Sequence, residues 1–515
     1  MRNKSIYLVW FIALLPAMVL RDYTPNNELR YLSIVDEALR NGDIFTFTNQ
    51  GEIYADKPPL YFWLMMAGKT LLGGHRIWFL SLLSLVPAMV IVSTMTKWIR
   101  RENPDVAPEA ALMLITCGLF AGLGIVVRMD MLMSMFIVLS LHTFYKIYKG
   151  EARKRDQYLF GMYVFLAIFS KGPIGLLVPL LSTLAFLFYK RKTDLWKQVW
   201  GWKTLLILVS GSLIWFGGVY LESGVEYLDN LLVHQTVGRG INAFHHKRSF
   251  YYYLVSIWYS LAPWMLLSIG VIVAALFNRK IKTDIERFFL TIILVTFTLL
   301  SVISSKLAVY LLPAFPFFIY LSAILLKKFD SANRWLRLSV ALPAMVLSLA
   351  LPAVIYLSVT DKSFFFGLPI IYVAVAITSI TGVAVLFLIF WKKELLLSIR
   401  MMSLGILLTV FIAGWGMPQL NPYIGWEKLC EKAQQVAVEN GISDYSVYRI
   451  KRAENMDVFL DKDIEVITKE DIVSQIHKSK ILMLPEKVVD SDAEIRSALQ
   501  FKENYKVGQH LVVVL

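Results

Sequence analysis

Charge is scarce in this chain: 17% of its 515 residues are Asp, Glu, Lys or Arg, while 57% are hydrophobic. Soluble domains carry about 25% charged residues, so the composition excludes an ordinary soluble enzyme and predicts a polytopic membrane protein. Cysteine is scarcer still. Cys117 lies in an apolar run and Cys430 in a polar tail, a placement that predicts no disulfide between them. The seven histidines form no Cys/His cluster with structural zinc spacing. A cleavable leader is not expected either. The apolar stretch after Met1-Arg2-Asn3-Lys4 has no clear small-residue cleavage site beyond Leu20, and it reads as a retained first helix.

What the chain does have is apolar length. Runs near the roughly 20 residues that a spanning helix needs fall at 5–20, 76–98, 108–125, 129–148, 157–172, 173–190, 203–221, 250–277, 285–303, 306–326, 335–358, 367–391 and 399–418. That predicts thirteen spans, with the pair around Lys171-Gly172-Pro173 divided by a turn or a kink. Basic clusters such as Lys97/Arg100/Arg101, Lys190/Arg191/Lys192 and Lys392/Lys393/Arg400 then fall on one side, which assigns that side to the cytoplasm. The net charge of +14 is therefore a topology signal and not a nucleic-acid footprint.

The opposite side receives a long polar loop at 22–75, the Arg128-Met129-Asp130 corner, Lys171, the 222–249 loop, Ser304-Ser305-Lys306 and the tail. Within the long loop, Leu29, Leu32, Ile34, Val35 and Leu39 against Glu28, Arg30, Asp36 and Arg40 predict an amphipathic helix over 27–41. Residues 58–72 are apolar but short for a span and fit an interfacial helix; 227–237 suggest a third. From Asn421 the composition changes to 13 Lys and Arg against 16 Asp and Glu. A helix over 426–440, strands at 445–450, 463–467, 480–484 and 511–515, and helices near 469–478 and 490–499 predict a small α/β domain. The expected organisation is a membrane domain over 1–420 and a soluble domain over 421–515. The tail contains no phosphate loop or catalytic motif.

Acidic groups held against a bilayer are costly unless they have a function. Glu28, Asp56 and Asp130 converge on the non-cytoplasmic face with Arg30, Lys57, Arg128, Lys171, Arg239 and Lys306. Six cations on the face that should be depleted of them point to an anionic ligand, such as a phosphate. Charge pairing within packed loops is the bland alternative. His234 with Asp56 is a candidate metal pair, although a lone His with a distant carboxylate is more often structural. Tyr54, Tyr61 and Trp63 fit an aromatic belt, or a platform for a sugar or polyprenyl chain.

The ordered motifs Glu28-Leu29-Arg30-Tyr31, Tyr54-Ala55-Asp56-Lys57-Pro58-Pro59, Arg128-Met129-Asp130, Ser170-Lys171-Gly172-Pro173, His234 with Arg239, and Ser305-Lys306-Leu307 with Tyr310 resemble the GT-C membrane glycosyltransferases. The likeness is to the aminoarabinose-transferase branch of the protein O-mannosyltransferase superfamily. It implies a GT-C fold of about thirteen transmembrane helices in a bacterial inner membrane. It also implies an active site and a C-terminal domain on the periplasmic side. The implied reaction moves a sugar from an undecaprenyl-phosphate carrier to an acceptor, lipid A phosphate in the aminoarabinose members. By the same resemblance Lys57, Arg239, Tyr310 and Tyr54 attend the carrier phosphate, Asp130 lines the cavity, and Asp56 with His234 can hold a zinc ion. No metal is required by the expected mechanism, an inverting displacement at the anomeric carbon.

One position departs from the family. Asn27 stands where the family has its catalytic Asp, and an amide has no proton-accepting equilibrium near neutral pH. Three readings follow: Glu28 or Asp22 takes over, the acceptor is already ionised, or the chain is an inactive lipid-binding relative. The alternatives in function are transfer of a hexose to a protein or glycan hydroxyl, and transport of a lipid-linked sugar. Transport is disfavoured because the charges cluster at one face and no internal repeat is evident.

Overall fold

The computed structural model describes residues 3–232, 248–330, 333–360, 364–474 and 479–515. All thirteen apolar runs contain helix, though not all as single rods. In chain order the first helices are α1 (Asn3–Leu20), α2 (Arg30–Asn41), α3 (Leu60–Leu72), α4 (Ile77–Arg100), α5 (Ala107–Ile115), α6 (Gly118–Leu123), α7 (Met129–Tyr148), α8 (Lys154–Lys171) and α9 (Ile174–Lys190). Among the described residues, eight helices are long and apolar enough to cross a membrane, or nine if α1 and the bent segment after it count as one span.

The runs at 108–125 and 250–277 are each broken, and their breaks meet. The Gly118 amide donates to the Ala262 carbonyl at 2.9 Å, and the Trp264 indole donates to the Thr116 hydroxyl at 2.9 Å. Backbone freed from a helix inside a bilayer must find a partner within the protein, and here each break supplies the other's. The division at Lys171-Gly172-Pro173 is a tight hairpin. A Cβ on Gly175 would lie 2.3 Å from the Ala167 backbone, so only glycine lets α8 and α9 approach this closely.

The long loop is not a lipid-facing anchor. It opens with a π-helical turn over Pro25–Leu29 and continues into α2, which is buried on both faces from Tyr31 to Ala38. Of the residues expected on its polar side, Glu28 is buried and Asp36 nearly so, whereas the expected apolar Leu39 is 37% exposed. The α2 carboxylates hold the loop together. Asp36 takes Lys69 at 2.5 Å and His75 at 2.6 Å, while Glu37 accepts from Thr48 Oγ1, Gln50 N and Gly51 N. The last three lie in a hairpin of β1 (Thr48–Asn49) and β2 (Glu52–Ile53), whose turn residues Gln50 and Gly51 both have positive φ.

The C-terminal region forms a five-stranded sheet of β3 (Asp444–Val447), β4 (Glu465–Val466), β5 (Lys480–Pro485), β6 (Asn504–Val507) and β7 (His510–Val514), in the order β4-β3-β5-β7-β6. β3 runs parallel to β4 and β5, and β7 is antiparallel to β5 and β6. β6, a short strand of alternating exposure, was not expected from the sequence. This sheet shares one hydrophobic core with the loop: Leu32, Val35, Phe47 and Phe62 pack in the same cluster as Trp426, Cys430, Val447 and Ile481. Cys117 and Cys430 are both buried and unpaired.

Two carboxylates pin this seam. Asp22 accepts from the backbone amides of Tyr23 (2.6 Å) and Glu427 (2.9 Å), and Gly425 permits the approach, since a Cβ there would lie 1.9 Å from Asp22 Oδ2. Asn421 completes the joint, donating to Leu20 O and accepting from Asp22 N. Asp457 accepts from Ser33 Oγ (2.8 Å) and Gln50 Nε2 (3.2 Å). Burial pushes both carboxyls up to about 6.

A raised carboxyl holds a proton in the folded chain that the unfolded chain has already lost. Stability therefore falls as pH rises from about 4 through about 6 and is level above that, each group costing on the order of 3 kcal/mol at neutral pH. In detergent the unfolding temperature is expected to drop between about pH 4 and 6. Asp457→Asn should remove about half of that drop, measured by thermal scans across the range; an unchanged pH dependence in the variant would refute the assignment.

Candidate active site

A cavity of about 920 Å³ opens where the loop, the membrane helices and the sheet domain meet. Each helix end around it is placed by local chemistry. α7 begins at Met129 after extended Arg128, which leaves Asp130 in its first turn; α9 begins just after Gly172-Pro173, which also line the cavity. Tyr310 lies in a 3₁₀ turn, Ala308–Ala314, leading into a long buried helix. Two helix N-termini thus face one space, and their dipoles favour negative charge there.

The charged lining is uneven. Among the described residues it comprises Arg30, Lys57, Arg128, Lys171 and Arg452 against Asp56 and Asp130. Asp130 is almost fully buried and is shared by Arg128 Nε (3.1 Å) and Lys171 Nζ. Lys171 also lies 4.7 Å above the Tyr310 ring. Asp56 accepts from Lys57 at 2.9 Å and from the Tyr54 hydroxyl at 3.3 Å. Tyr54 sits behind this pair with Arg30 5.7 Å from its ring, and it does not itself line the cavity. The rest of the wall is apolar, including Ile168, Leu177, Trp215, Leu300 and Ile303. A charged end beside an apolar wall suits a phosphate joined to a lipid chain.

Asn27, Arg30, Asp56, Lys57, Arg128, Asp130, Lys171, Ser305 and Tyr310 are all brought to this cavity, as the motifs predicted. Besides Tyr54, three expected charged groups are not. Lys306 is buried outside the lining, its ammonium donating to the Ile303 carbonyl. Asp22 is spent on the domain seam. Glu28 is fully buried, held by both Arg21 guanidinium nitrogens at 2.7 Å and accepting from Thr24 N and Val127 N at 2.7 Å. Burial alone would raise its carboxyl, but the Arg21 charge and these hydrogen bonds hold it below its ordinary value. With both oxygens occupied it cannot serve as a base, so Glu28 is a strut.

His234 and Arg239 lie outside the described residues. No group of three His, Cys, Asp or Glu converges among those described, and Asp56 is already engaged by Lys57 and Tyr54. A metal there would have to displace that ammonium, and no chemical step is assigned to one.

The dolichyl-phosphate-mannose-protein mannosyltransferase family profile matches residues 56–215, the stretch from Asp56 to Trp215. The whole chain superposes on the crystal structure of ArnT from Cupriavidus metallidurans bound to undecaprenyl phosphate. The TM-score is 0.78 at 16% identity, with 100% of this chain and 98% of that one covered. The fold is GT-C. Among curated relatives, an undecaprenyl phosphate-alpha-4-amino-4-deoxy-L-arabinose arabinosyl transferase from Edwardsiella ictaluri is 23% identical over 60% of this chain and 56% of its own length. One from Pseudomonas fluorescens is 24% identical over 70% of this chain and 65% of its own. The chain thus spans less than two thirds of the length of the curated relatives it matches.

Sequence reasoning missed Arg452, which reaches the cavity from the sheet domain. Its only signal was a basic run, Arg449-Ile450-Lys451-Arg452, in an acidic tail at the end of a predicted strand.

If Glu28 is a strut, Glu28→Ala should cost about 3–5 kcal/mol, because it strands the buried Arg21 charge. Adding Arg21→Met should recover part of that loss, read as the unfolding temperature in detergent. A Glu28→Ala protein as stable as the wild type but without turnover would return Glu28 to the chemistry.

Proposed function

We propose that this protein is a polyprenyl-phosphate-dependent glycosyltransferase of a bacterial inner membrane, with undecaprenyl-phosphate-linked sugar as donor and a lipid A phosphate as acceptor at the periplasmic face. The observation that carries the reading is the cavity's five cations against two carboxylates, set beside an apolar wall. The ArnT-like fold and the arabinosyl transferase relatives support it.

In this reading the donor's lipid chain lies along the apolar wall and its phosphate meets Lys57 and Tyr310. An oxygen of the acceptor phosphate attacks the anomeric carbon. The bond from that carbon to the carrier phosphate breaks, and the electron pair leaves with the phosphate, inverting the centre. Lys57 stabilises the charge that develops on the leaving group. Asp130 holds Arg128 and Lys171 in place, and Asp56 holds Lys57. No carboxylate needs to take a proton, because an ionised phosphate brings its own nucleophilic oxygen. A hydroxyl acceptor would need a base, and both lining carboxylates are already paired with cations.

Vesicles carrying undecaprenyl-phosphate-linked aminoarabinose and lipid A test the proposal by mass spectrometry. Wild-type protein should add one sugar per transfer to the phosphorylated lipid and none to its dephosphorylated form, and Lys57→Ala should lower the rate by about 100-fold or more. Equal transfer to the dephosphorylated lipid would overturn the acceptor assignment. Wild-type turnover in Lys57→Ala would overturn the phosphate site.

A further inference from the structure

Arg452 belongs to the sheet domain yet lines the membrane cavity, and among the described residues no other side chain beyond the membrane domain does so. It lies between the end of β3 and a 3₁₀ turn at Ala453–Met456. Arg449 and Arg452 both have left-handed backbones, with φ of 53° and 62°. That conformation is disfavoured for arginine and persists where the surroundings impose it. Here the surroundings are explicit. The turn packs against the π-helical segment at Pro25–Leu29 and the start of α2. Gln50 Nε2 donates to the Glu454 carbonyl at 3.1 Å and to Asp457, and Ser33 also holds Asp457. The sheet domain is clamped so that Arg452 lines the same cavity as Asn27 and Arg30.

These guanidiniums differ from the other cations of the cavity. Lys57, Arg128 and Lys171 each hold a carboxylate at the membrane side. Arg30 makes no ion pair among the described residues, and its Nε is buried without a hydrogen-bond partner. Among the described residues Arg452 pairs only with its near neighbour Glu454, at 3.5 Å, and its side chain is 51% exposed. The cavity thus presents two guanidinium forks that carboxylates among the described residues do not saturate. A phosphate monoester, with up to two negative charges and three acceptor oxygens, complements such a pair.

We propose that Arg452, together with Arg30, is the subsite for the acceptor's phosphate, so that the C-terminal domain selects the acceptor. This rests on the reading of the cavity as a donor and acceptor site. The donor's phosphate is tied to a chain that needs the apolar wall, next to Lys57 and Tyr310. A headgroup arriving from the water side meets the sheet domain first, and Arg452 stands there. The residue positions and discriminates; it does not touch the bond being broken.

The test uses Arg452→Asn, which removes the charge but tolerates a left-handed backbone. Full-length protein in nanodiscs is assayed with the donor saturating and diphosphoryl lipid A varied. The acceptor KM is expected to rise about tenfold or more, with the donor KM within twofold, and Arg452→Lys should fall between. Unchanged acceptor KM, or equal loss for donor and acceptor, overturns the proposal. Direct binding separates this failure from that of the proposed reaction. If wild type binds diphosphoryl lipid A and Arg452→Asn does not, the subsite stands even where no sugar is transferred. If wild type transfers sugar and the variant matches it, the reaction stands and the subsite falls. Inorganic phosphate and dephosphorylated lipid A serve as arms. Protection by inorganic phosphate equal to that by the lipid would mark a free-phosphate site and overturn the acceptor role.

Discussion

The pair between Arg21 and Glu28 fixes the geometry on which the cavity depends. Arg21 directly follows the first membrane helix, and Glu28 lies in the π-turn that opens the next helical segment, bent by 72° from the first at the break between them. The same two side chains also grip the segment before α7, through Arg21 to the Ile125 carbonyl at 2.9 Å and the Val127 amide to Glu28. One buried bidentate pair therefore sets Asn27 and Arg30 against Arg128 and Asp130, which are about a hundred residues apart in the chain. A buried charge pair of this kind is weak evidence for net stability, because desolvation offsets much of its attraction. Its value here is register: neither segment can slide without stranding a charge.

On that frame the cavity concentrates positive potential. The cations are held near a low-dielectric wall, and the N-terminal ends of α7 and α9 add the partial charges of unsatisfied amides. The two carboxylates do not cancel this field. They fix the ammonium and guanidinium groups in position, so the transfer proposed above would need little reorganisation as negative charge develops on a leaving phosphate. The apolar wall excludes water from one side and thereby strengthens the same interactions.

How much of this was legible in the sequence differs by residue. Asp56, Lys57, Arg128, Asp130, Lys171 and Tyr310 could be placed together because each sits at the end of an apolar run on one predicted face, and helix ends are where spacing is informative. Glu28 could not be read correctly. Its motif looks catalytic, and the partner that disarms it, Arg21, stands at the border of the first span where it reads as a flanking charge. The α2 segment showed the right helical period but the wrong burial, since the domain that covers its polar face lies some four hundred residues away. Arg452 was illegible for the same reason: its role arises from docking between two units whose contact has no local signature. The sheet's strands were mostly evident from β-branched runs, whereas β6, with its exposed alternation, was not.

A π-turn inserts an extra residue into a helical turn and often marks a functional site. Here it separates neighbours: Asn27 faces the cavity while Glu28 is turned to Arg21. A carboxylate at 28 therefore cannot substitute for the amide at 27 by a change of side-chain rotamer, because its oxygens already satisfy Val127, Thr24 and Arg21. Asp22 is equally committed to Glu427 and Tyr23. The loop thus presents an amide that can donate a hydrogen bond to an anion but cannot accept a proton. In the proposed reaction such a site is matched to an acceptor that arrives ionised, and the guanidiniums of Arg30 and Arg452, which line the same cavity as the amide, are the complement that such an acceptor requires.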